Sequence, residues 1–149
     1  MIKVMFVCHG NICRSPMAEM ILKDMVQKRG LEGEFEIASC ATSTEEIGNP
    51  VYPPARAELA RRGVKCGHRG ARQLTRADYE AYDLLIAMDD LNIRNMHRML
   101  GGDPKGKICK MLDFAHGGNV ADPWYTGGFD KTFEDIKAGC EGLLKKYGK

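Results

Sequence analysis

Apolar residues follow two kinds of pattern along the chain, and the two kinds alternate. The run at residues 2–7, interrupted only by Lys3, predicts a strand that is buried on both faces of a sheet. Residues 17–26 instead carry their apolar positions at helical spacing, and Gly30 ends that pattern. The same two patterns predict the later elements, with strands at 35–39, 82–88 and 107–112 and helices at 55–62, 91–100 and 129–147.

Turn-forming residues separate these segments. Ser15 is a good N-cap and Pro16 suits the first helical position, so the first helix is predicted to begin there. The stretch 42–54 holds several prolines and is predicted to be a loop. Strands that alternate with helices favour right-handed crossovers, and therefore an α/β fold with an open parallel sheet covered on both faces. Sites in such sheets lie at the carboxyl ends of the strands, which is where Cys8 falls.

The composition is that of one globular domain spanning residues 1–149. Hydrophobic residues make up 44% of the chain and charged residues 28%, values that argue against disordered and coiled-coil proteins. A formal net charge of +2 gives no reason to expect nucleic acid or a membrane surface as a partner. The basic residues between 56 and 76 have acidic neighbours and are predicted to form a solvated surface.

The chain is expected to be cytoplasmic and reduced. Its longest apolar runs fall far short of the ~20 residues of a membrane-spanning helix, and the apolar segment 1–8 is too short for a signal peptide. The six cysteines are scattered among the predicted elements, which favours free thiols over a disulfide framework. The sequence contains no CxxC or HxxxH pair of the kind that supplies zinc ligands, so no metal is expected.

A cysteine and an arginine, separated by five residues, stand where the first strand gives way to the first helix. A loop of that length can curl so that its backbone N–H groups point at one centre, with the helix N-terminus behind them. Gly10 and Asn11 are the residue types that best tolerate positive φ. Arg14 can then clamp two phosphate oxygens, and the same positive field favours the thiolate of Cys8. The spacing therefore predicts a phosphate-binding loop with a nucleophile beneath it.

The stretch 7–16 reads V-C-x-G-N-x-C-R-S-P and resembles the signature of the low-molecular-weight protein tyrosine phosphatases. The resemblance continues in order along nearly the whole chain, through Ser39 with 41–43, 47–50, His68 with 71–73, 88–89 and 122–125. It implies a single domain with a four-stranded parallel sheet and the phosphate loop between the first strand and the first helix. It also implies hydrolysis of phosphotyrosine in proteins and of small aryl phosphates through a phosphocysteine, with inorganic phosphate as product and no cofactor. The oligomeric state is left open, with a monomer favoured.

The resemblance implies a role for each matching residue. Cys8 looks like the nucleophile, Arg14 like the residue that binds the phosphate, and Asp122 like the general acid and base. Four residues match the family positions that hold the loop in its strained shape: Asn11, Ser15, Ser39 and His68. Ser15 also matches a hydroxyl that stabilises the thiolate. The other loop residues, expected around the phosphate, are His9, Gly10, Ile12 and Cys13.

Two positions raise questions of regulation and specificity. In relatives with a second cysteine in this loop, that thiol can pair with the nucleophile on oxidation, so Cys13 is the expected redox partner of Cys8. Glu45 stands where many members carry Trp or Tyr against the substrate ring. A carboxylate there predicts a preference for basic residues beside the phosphorylated one, with Trp124 and Tyr125 as the aromatic side of the cleft wall.

Two other functions share parts of this motif. An arsenate reductase of the same fold also uses such a loop, but it needs further cysteines after the central strand, and residues 87–92 contain none. A module that only binds anions or phosphopeptides keeps the loop but needs neither Asp122 nor a nucleophilic Cys8. The sequence also leaves phosphotyrosine, phosphoarginine and a small ester open as the natural substrate.

Overall fold

The computed structural model describes residues 1–148, which form four strands and six α-helices. The strands are β1 (Ile2–Cys8), β2 (Phe35–Ala41), β3 (Leu84–Ala87) and β4 (Ile108–Lys110). The helices are α1 (Arg14–Lys28), α2 (Pro53–Arg61), α3 (Arg76–Ala81), α4 (Asp90–Leu100), α5 (Pro123–Thr126) and α6 (Phe129–Tyr147). Short 3₁₀ turns occupy Glu32–Glu34 and Met111–Phe114.

The strands form one parallel sheet in the order β2-β1-β3-β4. Strand β1 lies inside the sheet, pairing with β2 from Ile2 opposite Phe35 to Cys8 opposite Ala41, and with β3 on its other side. All carboxyl ends of the strands therefore lie at one edge, and Cys8 is the last residue of a strand at that edge. The predicted α/β fold with an open, four-stranded parallel sheet is confirmed.

Two hydrophobic layers cover the sheet. Successive side chains of a strand point to opposite faces, so Val4 and Phe6 pack with α1 and α6, while Met5 and Val7 pack with α3 and α4. All four of these β1 side chains are fully buried, which explains why this segment reads as a continuous apolar run. None of the helices between residues 1 and 148 combines the length and apolar character that crossing a membrane requires.

Several element boundaries differ from those predicted. Strands β3 and β4 are both shorter than predicted, and β4 ends early because the chain enters the 3₁₀ turn Met111–Phe114 directly after it. Helix α2 begins at Pro53, inside the predicted loop, since proline is accepted in the first helical turn where N–H groups have no partner. Helix α3 was not predicted, although Thr75 and Asp78 form a capping box that the T-x-x-D pattern encodes.

The start of α1 also differs from the prediction. The helix begins at Arg14 with Cys13 as its N-cap residue, so Ser15 is not the cap and Pro16 is the third helical residue. No side chain caps this helix end. The Ser15 hydroxyl lies 3.1 Å from the Cys8 sulfur instead, because the curled loop brings the first helical turn back over the end of β1.

Candidate active site

The end of β1 places Cys8 at the bottom of a curled loop. Cys8 is 3% exposed. Two backbone hydrogen bonds tie the start of the loop to the segment after β2, from Thr42 N–H to the Cys8 carbonyl (2.9 Å) and from Ser43 N–H to the His9 carbonyl (3.0 Å). These bonds fix the direction in which the loop leaves β1 before it leads into α1.

Three groups of the loop lie within hydrogen-bonding distance of the Cys8 sulfur. The backbone N–H of Asn11 donates at 3.3 Å and that of Ser15 at 3.4 Å, and the Ser15 hydroxyl lies at 3.1 Å. Donors at the N-terminus of a helix stabilise negative charge on a sulfur. The loop therefore surrounds the Cys8 sulfur with groups that suit an anion.

Asn11 organises the interior of the loop. Of the two residues predicted to tolerate positive φ, Asn11 is the one that adopts it, with φ 59°. Its side-chain amide donates to Ser15 Oγ at 2.7 Å and to Ser39 Oγ at 3.0 Å. Ser39 donates in turn to Glu19 Oε1 at 2.5 Å. These buried contacts link the loop to β2 and α1 and bring Asn11, Ser15 and Ser39 together.

The expectation for His68 is corrected. His68 is exposed, and the adjacent Arg69 contacts the loop in its place. Arg69 Nη1 donates to the Asn11 carbonyl at 3.0 Å, and Nη2 donates to Asn11 Oδ1. Backbone bridges join Ala41 to Gln73 and Ile47 to Ala71. They set the position of the segment that carries His68 and Arg69, and in that position Arg69 is the residue that contacts Asn11.

The Arg14 side chain is held by acceptors that follow β3 and precede α5. Its side chain is 3% exposed, and Nη1 donates to Asp89 Oδ2 at 2.6 Å and to the Val120 carbonyl at 2.9 Å. Nη2 lies 3.5 Å from Asp122 Oδ2. Burial opposes the charged form, but the negative charges of Cys8, Asp89 and Asp122 outweigh it and raise the pKa of Arg14. The guanidinium is thus a permanent positive charge in a fixed orientation.

Asp122 is positioned by the start of α5. Its Oδ1 accepts from the backbone N–H of Trp124 at 3.0 Å, which makes it the N-cap of that helix. The segment before it is tied to the sheet, since Val120 N–H donates to the Met88 carbonyl at 2.9 Å. Pro123 begins the helix and is buried. The carboxyl of Asp122 therefore lines the same cleft as Cys8 and Arg14.

The loop forms the floor of a cleft of about 120 Å³. Its walls combine aromatic and acidic side chains, as predicted for Trp124, Tyr125 and Glu45. Trp124 is 51% exposed and its ring centroid lies 4.7 Å from that of Tyr52, which supports it from behind. Tyr125 is 83% exposed. The cleft is lined further by His9, Gly10, Ile12 and Cys13, the remaining loop residues of the prediction.

Glu45 contacts the loop as well as lining the cleft. Its Oε2 lies 3.2 Å from Nε2 of His9, so the acidic wall is joined to the first loop residue after the nucleophile. Glu46 lines the same cleft and was not predicted. The rim of the cleft is therefore acidic, while the backbone N–H groups of Asn11 and Ser15 point to the Cys8 sulfur at its floor.

Cys13 is buried at the N-terminus of α1 and also lines the cleft. Burial, together with the charges of Cys8 and Asp122, raises the pKa of Cys13 to about 12. The second thiol of the loop is therefore protonated at neutral pH.

Glu19, Arg69 and Asp89 support the loop and were missed. Asp89 follows β3 directly, at the same sheet edge as Cys8, and this position was the available signal. Glu19 lies one helical turn after Ser15, a spacing that places both on the same side of α1. The sequence around Arg69 gave no comparable indication that this residue contacts the loop.

An open parallel sheet with a buried cysteine at the end of β1, a curled loop closed by Arg14, and a carboxyl across the cleft defines a cysteine-dependent phosphatase. The sequence profile of the family "Low molecular weight phosphotyrosine protein phosphatase" matches residues 3–149. The chain belongs to this family, and the family predicted from the sequence is confirmed.

Individual relatives agree over nearly their whole length. The low molecular weight protein-tyrosine-phosphatase YfkJ of Bacillus subtilis is 41% identical over 152 residues, covering 100% of this chain and 97% of the relative. The low molecular weight phosphotyrosine protein phosphatase of Schizosaccharomyces pombe is 39% identical and covers 97% of this chain and 96% of the relative. The crystal structure of YfkJ superimposes with a TM-score of 0.94, covering 98% of this chain and 94% of that one.

Proposed function

We propose that this chain hydrolyses phosphotyrosine in proteins, and small aryl phosphates, through a phosphocysteine formed on Cys8. The observation that carries the proposal is the sulfur of Cys8, which meets three loop groups at 3.1–3.4 Å in the cleft that Arg14 and Asp122 also line. A module that only binds anions needs the loop but not this donor set around a thiol. Membership of the phosphatase family supports the same conclusion.

In the first step, the thiolate of Cys8 attacks phosphorus. A sulfur–phosphorus bond forms as the phosphorus–oxygen bond to the aryl group breaks, and the leaving oxygen takes the proton of the Asp122 carboxyl. Arg14 is anchored through Nη1, and Nη2 has only the long 3.5 Å contact with Asp122, so we assign the Nε–Nη2 edge of its fork to two phosphate oxygens. The loop N–H groups stabilise the charge on the transferring phosphoryl group.

In the second step, water attacks the phosphocysteine. The Asp122 carboxylate takes a proton from the water, the new phosphorus–oxygen bond forms, and the sulfur–phosphorus bond breaks to restore the thiolate. Inorganic phosphate leaves the cleft, and Asp122 is again protonated for the next cycle. The same carboxyl thus serves as acid and then as base, which its place across the cleft from Cys8 allows.

The rim of the cleft supports a preference among phosphoproteins. Trp124 and Tyr125 offer an aromatic side to a phosphotyrosine ring, and Glu45 and Glu46 face the residues beside it. Glu45 contacts His9 but its side chain is 70% exposed, so its carboxylate can also pair with a lysine or arginine of the substrate. We therefore assign phosphotyrosine sites with basic neighbours as the favoured substrates.

The second loop thiol supports redox control. Peroxide oxidises the Cys8 thiolate to a sulfenic acid and is itself reduced to water; the Cys13 thiol then attacks that sulfur, a disulfide forms and water is released. A dithiol reverses the disulfide. Both cysteines are free in this structure, and a thiolate nucleophile needs reducing surroundings, so we place the enzyme in the cytoplasm.

The experiment that tests the proposed function combines turnover with trapping. The wild type is assayed on p-nitrophenyl phosphate, on phosphotyrosine and phosphoarginine peptides, and on arsenate with thioredoxin. Cys8→Ser, with Cys66→Ser as control for removing a thiol away from the cleft, is then tested for turnover and for phosphopeptide binding.

We expect turnover of the aryl phosphate and the phosphotyrosine peptides by the wild type and by Cys66→Ser. Cys8→Ser should lose turnover and still bind the phosphopeptides. Peptide binding without turnover by the wild type would favour a binding module, and arsenate reduction or exclusive turnover of phosphoarginine would overturn the proposed substrate class.

A further inference from the structure

Arg69 touches the catalytic loop from outside the cleft. Its guanidinium lies in a groove that it shares with Glu19, Lys23 and His68, whereas the cleft is lined by other residues. From this groove it donates to the carbonyl and to the side-chain oxygen of Asn11. Arg69 therefore makes its hydrogen bonds to the loop at Asn11, from outside the cleft.

The contact with Arg69 decides which way the Asn11 amide points. Oδ1 of Asn11 accepts from Arg69 Nη2 and from the backbone N–H of Arg72 at 3.2 Å, so the NH₂ group must face the opposite side. There it donates to the hydroxyls of Ser15 and Ser39. A flipped amide would point its N–H groups at the donors of Arg69 and Arg72.

The direction of these bonds passes on to the nucleophile. Because Ser15 Oγ accepts from Asn11, its own hydrogen is free to donate elsewhere. The nearer acceptor is the Cys8 sulfur at 3.1 Å, whereas the Cys40 carbonyl lies at 3.4 Å. A series of hydrogen bonds therefore runs from Arg69 to Asn11, from Asn11 to Ser15, and from Ser15 to the Cys8 sulfur.

The backbone of Asn11 depends on the same guanidinium. Asn11 is fully buried and holds a left-handed φ of 59°, which asparagine tolerates better than most non-glycine residues, so its buried backbone groups need partners in that conformation. Arg69 Nη1 satisfies its buried carbonyl at 3.0 Å. The N–H of the same residue points to the Cys8 sulfur, so the bond to the carbonyl helps to fix that donor too.

We propose that Arg69 is a positioning residue of the phosphatase reaction, which orients Asn11 and, through Asn11 and Ser15, directs hydrogen-bond donors onto the Cys8 thiolate. The inference rests on the proposed function for its turnover readout. His68 is exposed and takes no part in it. The backbone N–H of Arg72 remains in any Arg69 variant, so the effect of removing Arg69 is partial and not complete.

The first measurement compares Arg69→Ala with Lys65→Ala, which removes a positive charge from the same groove. We expect kcat/KM for p-nitrophenyl phosphate to fall about ten- to a hundredfold in Arg69→Ala, as for the loss of a charged hydrogen bond, and less than twofold in Lys65→Ala. Arg69→Lys should fall in between, and millimolar methylguanidinium should restore part of the activity of Arg69→Ala alone. Wild-type kcat/KM in Arg69→Ala would overturn the proposal.

The second measurement is a double-mutant cycle with Ser15→Ala. If Arg69 acts through Ser15, the double variant should lose no more than about threefold beyond Ser15→Ala alone, whereas a merely structural role would make the two losses multiply. Multiplying losses would overturn the proposal. If Arg69→Ala does not fold, Arg69→Lys and Arg69→Gln are used in the same cycle.

Inorganic phosphate binding, measured by calorimetry on the same variants, separates the two hypotheses. A wild type without turnover would contradict the proposed function, yet weakened phosphate binding in Arg69→Ala alone would still support the positioning of the loop. Equal phosphate affinity in the wild type, Arg69→Ala and Lys65→Ala would count against Arg69 whether or not the wild type turns over.

Discussion

Asp89 has two tasks that mutation can separate. Its Oδ2 accepts from Arg14 Nη1 at 2.6 Å, and its Oδ1 accepts from the backbone N–H of Asn92 at 2.8 Å as the N-cap of α4. Asp89→Asn removes the charge that holds Arg14 and keeps a side chain that caps helices well. Asp89→Ala removes both the charge and the cap. The pair of variants therefore distinguishes the anchoring of Arg14 from the stability of α4.

The structure gives the size of each effect. The side chains of Arg14 and Asp89 are 3% and 22% exposed, so water screens the pair little, and a hydrogen bond between charged groups contributes about 1.5–3 kcal/mol. Arg14 keeps its bond to the Val120 carbonyl, so the lower end of the range applies. A loss of about 1.4 kcal/mol corresponds to about tenfold in kcat/KM. The missing cap adds about 1 kcal/mol of instability in Asp89→Ala only.

The assay measures kcat/KM for p-nitrophenyl phosphate together with urea denaturation. Both variants should lose about tenfold in kcat/KM, and Asp89→Ala should be about 1 kcal/mol less stable than Asp89→Asn. Asp90→Asn serves as the control, because the exposed Asp90 pairs with Lys110 away from the cleft. Wild-type kcat/KM in Asp89→Asn would refute the reasoning, since it would show that Val120 and the loop hold Arg14 without the carboxylate.

Three further predictions concern the acid, the second thiol and the rim. Asp122→Ala should lower the rate of hydrolysis of phenyl phosphate about 10²–10⁴-fold. The rate on p-nitrophenyl phosphate should fall less, because a better leaving group needs less protonation. An equal loss across a series of aryl phosphates would show that Asp122 donates no proton. Because burial raises the pKa of Cys13 to about 12, its disulfide with Cys8 after peroxide treatment should form faster as the pH rises from neutral, which trapping of free thiols followed by mass spectrometry measures. Cys13→Ser should recover less activity in dithiothreitol than the wild type after the same treatment, because peroxide oxidises the unprotected sulfenic acid of Cys8 further to sulfinic acid, and recovery equal to that of the wild type would exclude a resolving role. Glu45→Gln should reduce the ratio of kcat/KM between basic-flanked and acidic-flanked phosphotyrosine peptides by a few-fold, since an exposed ion pair contributes about 0.2–1 kcal/mol, and an unchanged ratio would remove Glu45 from substrate selection.

Much of the fold and the centre of the site could be predicted from the sequence because they depend on residues close together in the chain. The continuous apolar run before Cys8 and the helical spacing after Pro16 define a strand, a loop and a helix without reference to any other segment. The five residues between Cys8 and Arg14 set the size of the loop. Helix α6 was predicted with its bounds, since its apolar face recurs over more than five turns.

Only the tertiary structure decided which distant side chains support the loop. Asp89 meets Arg14 across 75 positions of the chain, through strands whose carboxyl ends share one edge of the sheet. Arg69, and not His68, reaches Asn11 because adjacent residues of an extended segment point in different directions, so a one-residue change of register exchanges them. The bridges of Ala41 with Gln73 and of Ile47 with Ala71 fix that register through backbone bonds between segments, and such bonds depend on the folded chain and leave no pattern in the local sequence.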